Sequence, residues 1–348
     1  MLTTETSEGI EISPARIMQT GFAFWSAKVL LTAVALELFT HLCDCSKTVA
    51  DIKNELHLHG RGLADFLDAL VALGFLTRSG EGPDARYINT PETDIYLNKK
   101  RETYIGGMLE MANNRLYPFW GNLDEALQTG LPQNEVAHGE TGLFERLYED
   151  KDRLNEFIHA MGSMQTGNFA RFACSFDFAE YGSHCDIGGA GGDLAIQIAL
   201  HQPHIKSRVF DLPQVGPIAN ANIAKHKMAD RVQFMAGNFF TDPLPRADLI
   251  TMGNILHDWD LENKKMLIRK AFDAIPTDGA FVVIENIIDD ERRKNAFGLL
   301  MSLNMLIETP GGFDYTAADF TGWAKEAGFK EVAVMPLTGP ASALIAYK

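Results

Sequence analysis

The sequence predicts an α/β protein: a parallel sheet with helices on both faces, preceded by a mainly helical domain. Three observations carry this. From residue 181 onward short β-runs alternate with helical stretches, a texture that folds as βαβ units around a parallel sheet. Before about residue 180 the apolar residues recur instead at three- and four-residue spacing, apart from one hairpin. The 348 residues are also roughly twice an ordinary domain, and 46% of them are hydrophobic, enough to fill two cores.

In chain order, residues 14–42 (PARIMQTGFAFWSAKVLLTAVALELFTHL) are apolar almost all round, as in a helix covered by another chain or domain. The most apolar run, 21–39, contains Lys28 and Glu37 and is expected to be too short and too charged to cross a bilayer. Residues 48–56 and 60–73 read as two helices, and GFL followed by SGEGPDARYINT reads as a strand, a turn and a returning strand. Helix, turn, helix and hairpin make a winged helix. Its second helix, GRGLADFLDALVAL, sets one cation, Arg61, against Asp65 and Asp68, which does not suit a DNA major groove. The expectation is a scaffold that pairs subunits, with a ligand-sensing winged-helix regulator as the alternative from a different class. Residues 101–180 then continue as a helical bridge containing the loop QTGLPQNEVAHGETG.

Composition narrows the partners. The 31 Lys and Arg against 46 Asp and Glu leave a net charge of −15, which repels nucleic acid and anionic membranes. Cys43, Cys45, Cys174 and Cys185 form no CxxC pair, so neither a disulfide framework nor a zinc site is expected. The polar, acidic N-terminus is unlike a secretory signal, and a cytoplasmic location is expected.

Ligands of open parallel sheets bind where the strands stop, and four stops carry chemistry. SHCDI ends in Gly188-Gly189-Ala190-Gly191-Gly192, a turn that lets a ligand approach the backbone closely. SRVFD ends in Asp211, a carboxylate able to accept both hydroxyl protons of a ribose. The glycine turn lacks the GxGxxG order of a pyrophosphate site, and Asp193 stands where phosphate charge would lie. S-adenosyl-L-methionine, a ribose-bearing sulfonium without phosphate, suits such an acidic turn. RVQFMAG leads into Asn238 and Phe239, an amide and a ring for an adenine edge and face. ADLITMG leads into His257, a base suited to a phenol or other acidic hydroxyl. GAFVVIE, a helix at 319–327 and the antiparallel pair KEVAVMP and SALIAYK complete the sheet.

The runs DIGGAGG, FDLPQV, GNFF and LHDWD, in this order and spacing, resemble the winged-helix O-methyltransferase family of plant caffeate, isoflavone and acetylserotonin enzymes and their bacterial relatives. The likeness covers nearly the whole chain. It implies a Rossmann-like class I methyltransferase sheet at 181–348, a winged-helix dimerisation domain at 1–100 that forms a homodimer, and a bridge at 101–180 that contributes to the substrate pocket.

Carried over residue by residue, the resemblance makes His257 the general base. Asp258 follows it, and Glu285 and Asp314 hold the imidazole. Gly188, Asp211, Asn238 and Phe239 bind the cofactor, and no metal is required. By position, Phe157, Met161, Met164, Met301, Asn304 and Met305 wall a soft pocket for flat rings. Four departures stand out. Ala190 replaces a glycine, Asn238 and Asp314 replace the usual Asp and Glu, and Gly253 replaces the lysine of plant members. The expected activity is methylation of a hydroxyl on an aromatic or polyketide-like small molecule. The alternative is C- or N-methylation on the same scaffold, for example of a 2-oxo acid with His257 and Asp258 as metal ligands.

Overall fold

Each β-run after residue 181 becomes a strand of one seven-stranded sheet. The strands are β1 (Ser183–Ile187), β2 (Lys206–Asp211), β3 (Val232–Ala236), β4 (Leu249–Gly253), β5 (Ala280–Glu285), β6 (Glu331–Pro336) and β7 (Ser342–Tyr347). Their order across the sheet is β3-β2-β1-β4-β5-β7-β6. The first five run parallel, and β7 enters antiparallel between β5 and β6. The chain winds outward from β1 to β3 and then returns to β4 on the other side of β1. That reversal opens a crevice at the carboxyl ends of β1 and β4, where such sheets place their ligands.

The computed structural model describes residues 4–5, 11–43, 45–135 and 151–348 and divides at Pro118/Phe119 into two units. The division lies within the stretch expected to act as a bridge. In the second unit β5, AFVVIE, is buried on both faces, as the interior strand of a parallel sheet must be. Phe281 and Val283 face one core with Ile250, Met252 and Phe320, while Val282 and Ile284 face another with Phe169, Phe172 and Leu194. The flanking helices start at side-chain caps. Asp260 accepts the Asn263 N–H ahead of Leu261–Ala274, and Thr316 and Asp319 form a capping box ahead of Ala317–Ala327.

The first unit carries the two expected helices, Val49–Glu55 and Leu63–Ala72, and the hairpin Leu76–Ser79 with Arg86–Asn89. A short strand, Lys47–Thr48, pairs with Arg86–Asn89 and completes the small sheet of a winged helix. The uninterrupted N-terminal helix expected from hydropathy is instead three pieces, Ala15–Gly21, Ala23–Ala35 and Leu38–His41. Gly21 weakens the first junction, and Glu37, left-handed at φ 54°, makes the second. A stretch overlapping the run at 21–39, Ala15–Ala35, is long and apolar enough to cross a membrane by length and composition alone, a test that the core helices of soluble proteins also pass. Its N-terminal part leaves Ile17 (74%), Phe22, Phe24 and Trp25 (60%) exposed.

Candidate active site

The crevice is built first from the turn after β1. Gly188 has φ +67°, and its N–H donates to the Phe210 carbonyl at 2.8 Å. A Cβ there would lie 2.5 Å from Ile255 Cδ1, so both backbone and space demand glycine. Gly188→Ala is expected to lower folding stability by about 1–3 kcal/mol and to push Ile255 away from the turn. Comparison of denaturant midpoints for the two proteins checks this, and an unchanged midpoint would remove the requirement for glycine. Ala190, in the departure from glycine, is held left-handed at φ 45° and packs against Leu154, Ile158 and Val215.

Asp211, at the end of β2, is fixed by that same turn. Its Oδ2 accepts the Ala190 N–H at 2.9 Å and its Oδ1 accepts the Leu212 N–H at 2.7 Å. Burial raises its pKa, and the two backbone donors pull it back only in part. Each oxygen keeps a second lone pair, so the carboxylate presents two fixed acceptors to a vicinal diol. Beneath the turn, Thr251 Oγ1 donates to buried Asp186 Oδ1 at 2.6 Å, and a Cβ on Gly189 would meet Asp186 Oδ2 at 2.6 Å. Asp186 thus props the turn from below.

After β3, Asn238 is partly engaged. Its Oδ1 accepts the Phe240 N–H at 2.9 Å, so the acceptor expected for an adenine amino group has one lone pair committed. The Phe239 ring tilts against Phe240 at 4.7 Å and meets Trp259 at 6.0 Å.

The reacting group follows β4. Asn254, left-handed at φ 52°, turns the chain into the short helix Leu256–Asp258 and leaves His257 7% exposed. Glu285, at the end of neighbouring β5, sends Oε1 to the N–H groups of Ile255 (3.1 Å), Leu256 (2.8 Å) and His257 (3.2 Å). The glutamate therefore grips the backbone of the histidine turn, where the resemblance implied that it grips the imidazole. Asp314 Oδ1 lies 3.3 Å from His257 Nδ1, so the shorter acid comes within ion-pair distance of the ring without an aligned hydrogen bond, and Asp258 Oδ1 lies 3.5 Å from Nε2.

Burial alone would lower the His257 pKa, but Asp258, Asp314 and Glu285 outweigh it and push it up to about 10. Asp258 is raised to about 6 by burial, against the pull of His257 and Lys264. His257 Nδ1, both Asp314 oxygens, Glu285 Oε2 and Trp259 Nε1 are buried without a hydrogen-bond partner among the described residues. Such a cluster is where an ordered water or ligand belongs.

Sequence reasoning missed Lys264. Its side chain is fully buried, its ammonium donates to the Trp259 carbonyl, and it sits 3.6 Å from the Phe313 ring centroid. Burial lowers its pKa to about 8. A signal was present, since Lys264 shares its helix face with Leu267, Ile268 and Ala271, the buried stripe of Leu261–Ala274.

The residues expected to wall a substrate pocket lie on two helices bordering the crevice. Helix Lys151–Ser175 passes the glycine turn closely, since a Cβ on its Gly162 would lie 2.5 Å from Asp193 Oδ2. On it Phe157 packs with Leu154, Ile158 and Val215, Met161 is half-buried, and Met164 is 40% exposed. On helix Ala296–Glu308, Met305 is buried, Met301 is half-buried, and Asn304 Oδ1 accepts the Trp120 indole N–H at 2.9 Å. Ser302 Oγ accepts the Asp314 N–H at 3.2 Å, which ties this helix to the histidine site. Among the described residues no group of His, Cys, Asp and Glu is arranged to hold a metal ion.

The fixed Asp211 carboxylate, the glycine turn beside it and the excess of acid around His257 fit a ribose-bearing cation. Comparison with known proteins agrees. Residues 120–330 match the O-methyltransferase domain and residues 18–99 the O-methyltransferase dimerisation domain. The chain is 38% identical over 335 residues to the tetracenomycin polyketide synthesis 8-O-methyl transferase of Streptomyces glaucescens, covering 96% of this chain and 97% of that one. It is 33% identical over 315 residues to an N,N-dimethyltransferase of Streptomyces rimosus, covering 90% of each. The crystal structure of human N-acetylserotonin methyltransferase in complex with S-adenosylmethionine superposes with a TM-score of 0.89 at 27% identity, over 100% of this chain and 99% of that one. Sequence, fold and crevice together make this chain a member of the S-adenosylmethionine-dependent O-methyltransferase family.

Proposed function

We propose that this enzyme methylates a hydroxyl group of an aromatic, polyketide-like small molecule, with His257 as the general base. The observation that carries the reading is the buried imidazole at the end of β4, with a carboxylate beside each nitrogen and its turn tied down by Glu285. Asp211 holds the cofactor's ribose, Phe239 and Asn238 its adenine, and Gly188 lets the turn after β1 form beside them. Bound there, S-adenosylmethionine supplies an electrophilic methyl on a sulfonium.

His257 takes the acceptor's proton as the hydroxyl oxygen attacks, and Asp314 stabilises the imidazolium that forms. With three carboxylates facing it, the imidazole of the ligand-free protein holds its proton at neutral pH. A positive charge bound in the same crevice lowers that pKa, so cofactor binding makes the base available. Phe157, Met161, Met164, Met301, Asn304 and Met305 hold the flat acceptor, and orientation by such walls supplies on the order of 7–11 kcal/mol of the barrier reduction. The exposed Ile17, Phe22, Phe24 and Trp25 lie in or next to the region that matches a dimerisation domain, and they pair with a second copy of the chain.

A second reading, transfer to an amine, is favoured by the similarity to an N,N-dimethyltransferase. A neutral amine needs no base to attack, so the two readings separate on His257. The test is incubation with methyl-labelled S-adenosylmethionine and matched polycyclic phenols and arylamines, read by mass. Label on phenol oxygen is the expected result, and label on the amines alone would overturn it.

A further inference from the structure

We propose that Lys264 is a positioning residue for the reaction: its buried ammonium ties the segment behind His257 to the turn carrying Asp314, and so sets the separation of imidazole and carboxylate. The inference rests on His257 being the base. Lys264 lies one turn into helix Leu261–Ala274 and is fully buried. Its Nζ donates to the carbonyl of Trp259, two residues after His257. The same ammonium sits 3.6 Å above the ring of Phe313, one residue before Asp314, and 5.8 Å from the ring of Tyr315, one residue after it.

One cation therefore touches the backbone two residues after His257 and the ring of the residue next to Asp314, and a desolvated cation–π contact is among the stronger ones. The charges facing Lys264 are Asp258 and Asp260 from the histidine turn and its own helix cap, Glu285 from β5, and Asp314 from the turn. A lone buried lysine is costly, and three carboxylates around a histidine are costly too. Together they offset one another.

Lys264→Met keeps the length and apolar stem but removes the charge and the donor. We expect kcat to fall about 10-fold or more at pH 7, with the S-adenosylmethionine dissociation constant unchanged within about 3-fold. The deficit depends on pH in a defined direction. Lys264 carries its charge below about pH 8, so the variant falls furthest behind the wild type there, and the gap narrows as the wild-type lysine loses its proton above that pH. A residue that merely filled space would leave the same deficit at every pH from 6 to 10, and that result would overturn the inference.

Phe313→Leu, which keeps the pocket filled but removes the ring face, is a second arm in case the methionine variant does not fold. It is expected to show a smaller deficit with the same pH trend, and a pH-independent deficit there would count equally against Lys264. His257→Gln, run alongside, separates the two levels. If it loses turnover while the Lys264→Met deficit ignores pH, only the inference fails. If it keeps turnover, the base reading and the inference fail together.

Discussion

Replacing His257 with Gln is expected to lower kcat by roughly two to four orders of magnitude, the usual contribution of a positioned general base. The cofactor's dissociation constant should not rise, because the residues that fit its ribose and adenine lie on the turns after β1, β2 and β3, and loss of the imidazolium that the sulfonium disfavours tightens binding at neutral pH. Residual turnover reflects the orientation of the reactants, which the substitution does not touch. The pH dependence should change as well. The three carboxylates hold the imidazole proton to about pH 10, and only the neutral ring can act as a base. In the wild type kcat/KM for the cofactor therefore rises with pH toward that value, while the limb of kcat at saturating cofactor lies lower, since the bound sulfonium disfavours imidazolium. Steady-state rates from pH 6 to 10 check both points. The glutamine variant should show neither limb, and a variant that keeps wild-type turnover would end the base assignment.

How much of this was legible beforehand depends on how local each determinant is. The five parallel strands were readable because each is a short apolar run closed by glycine, asparagine or aspartate, and period and punctuation are properties of adjacent residues. Asp211 and His257 were readable for a related reason. In a parallel sheet the end of a strand is a site by topology, so a carboxylate or imidazole there is informative before any contact is known.

What escaped was the division of labour among the acids. Glu285 and Asp314 were both marked, but their partners depend on how β5 and the 310–314 turn approach the His257 turn, and no spacing encodes this. The glutamate turned out to hold three backbone amides, and the aspartate to stand beside the ring. Lys264 escaped because a lysine in a helix reads as surface, although its place in the buried stripe argued otherwise. The breaks at Phe22 and Glu37 escaped because hydropathy reports what a helix buries and says little about where its backbone turns.

Asp211→Asn should have the second large effect, and on the other step. Asn has nearly the shape of Asp, but it turns one acceptor into a donor, so either the Ala190 or the Leu212 N–H, and one ribose hydroxyl, loses its partner. A hydrogen bond to a charged acceptor contributes about 1.5–3 kcal/mol, so the cofactor should bind roughly 10–10²-fold more weakly. At the upper bound the stabilisation conferred by a fixed excess of S-adenosylmethionine falls by about 2.7 kcal/mol, visible as a smaller ligand-induced rise in Tm. At saturating cofactor kcat should stay within a few-fold of wild type, the opposite pattern to His257→Gln.

The ligand-free protein should respond differently. Burial raises the Asp211 pKa, so the folded state holds the carboxyl proton more tightly than the unfolded chain. The charged carboxylate therefore costs stability at neutral pH, and the cost disappears as pH falls through the folded pKa. Removing the charge should leave the ligand-free Tm at pH 7 no lower than wild type, less whatever the lost backbone hydrogen bond contributed. A variant that bound cofactor normally would show that the ribose does not meet Asp211. One that lost ligand-free stability at pH 7 by more than a single hydrogen bond would show that the carboxylate serves the fold first.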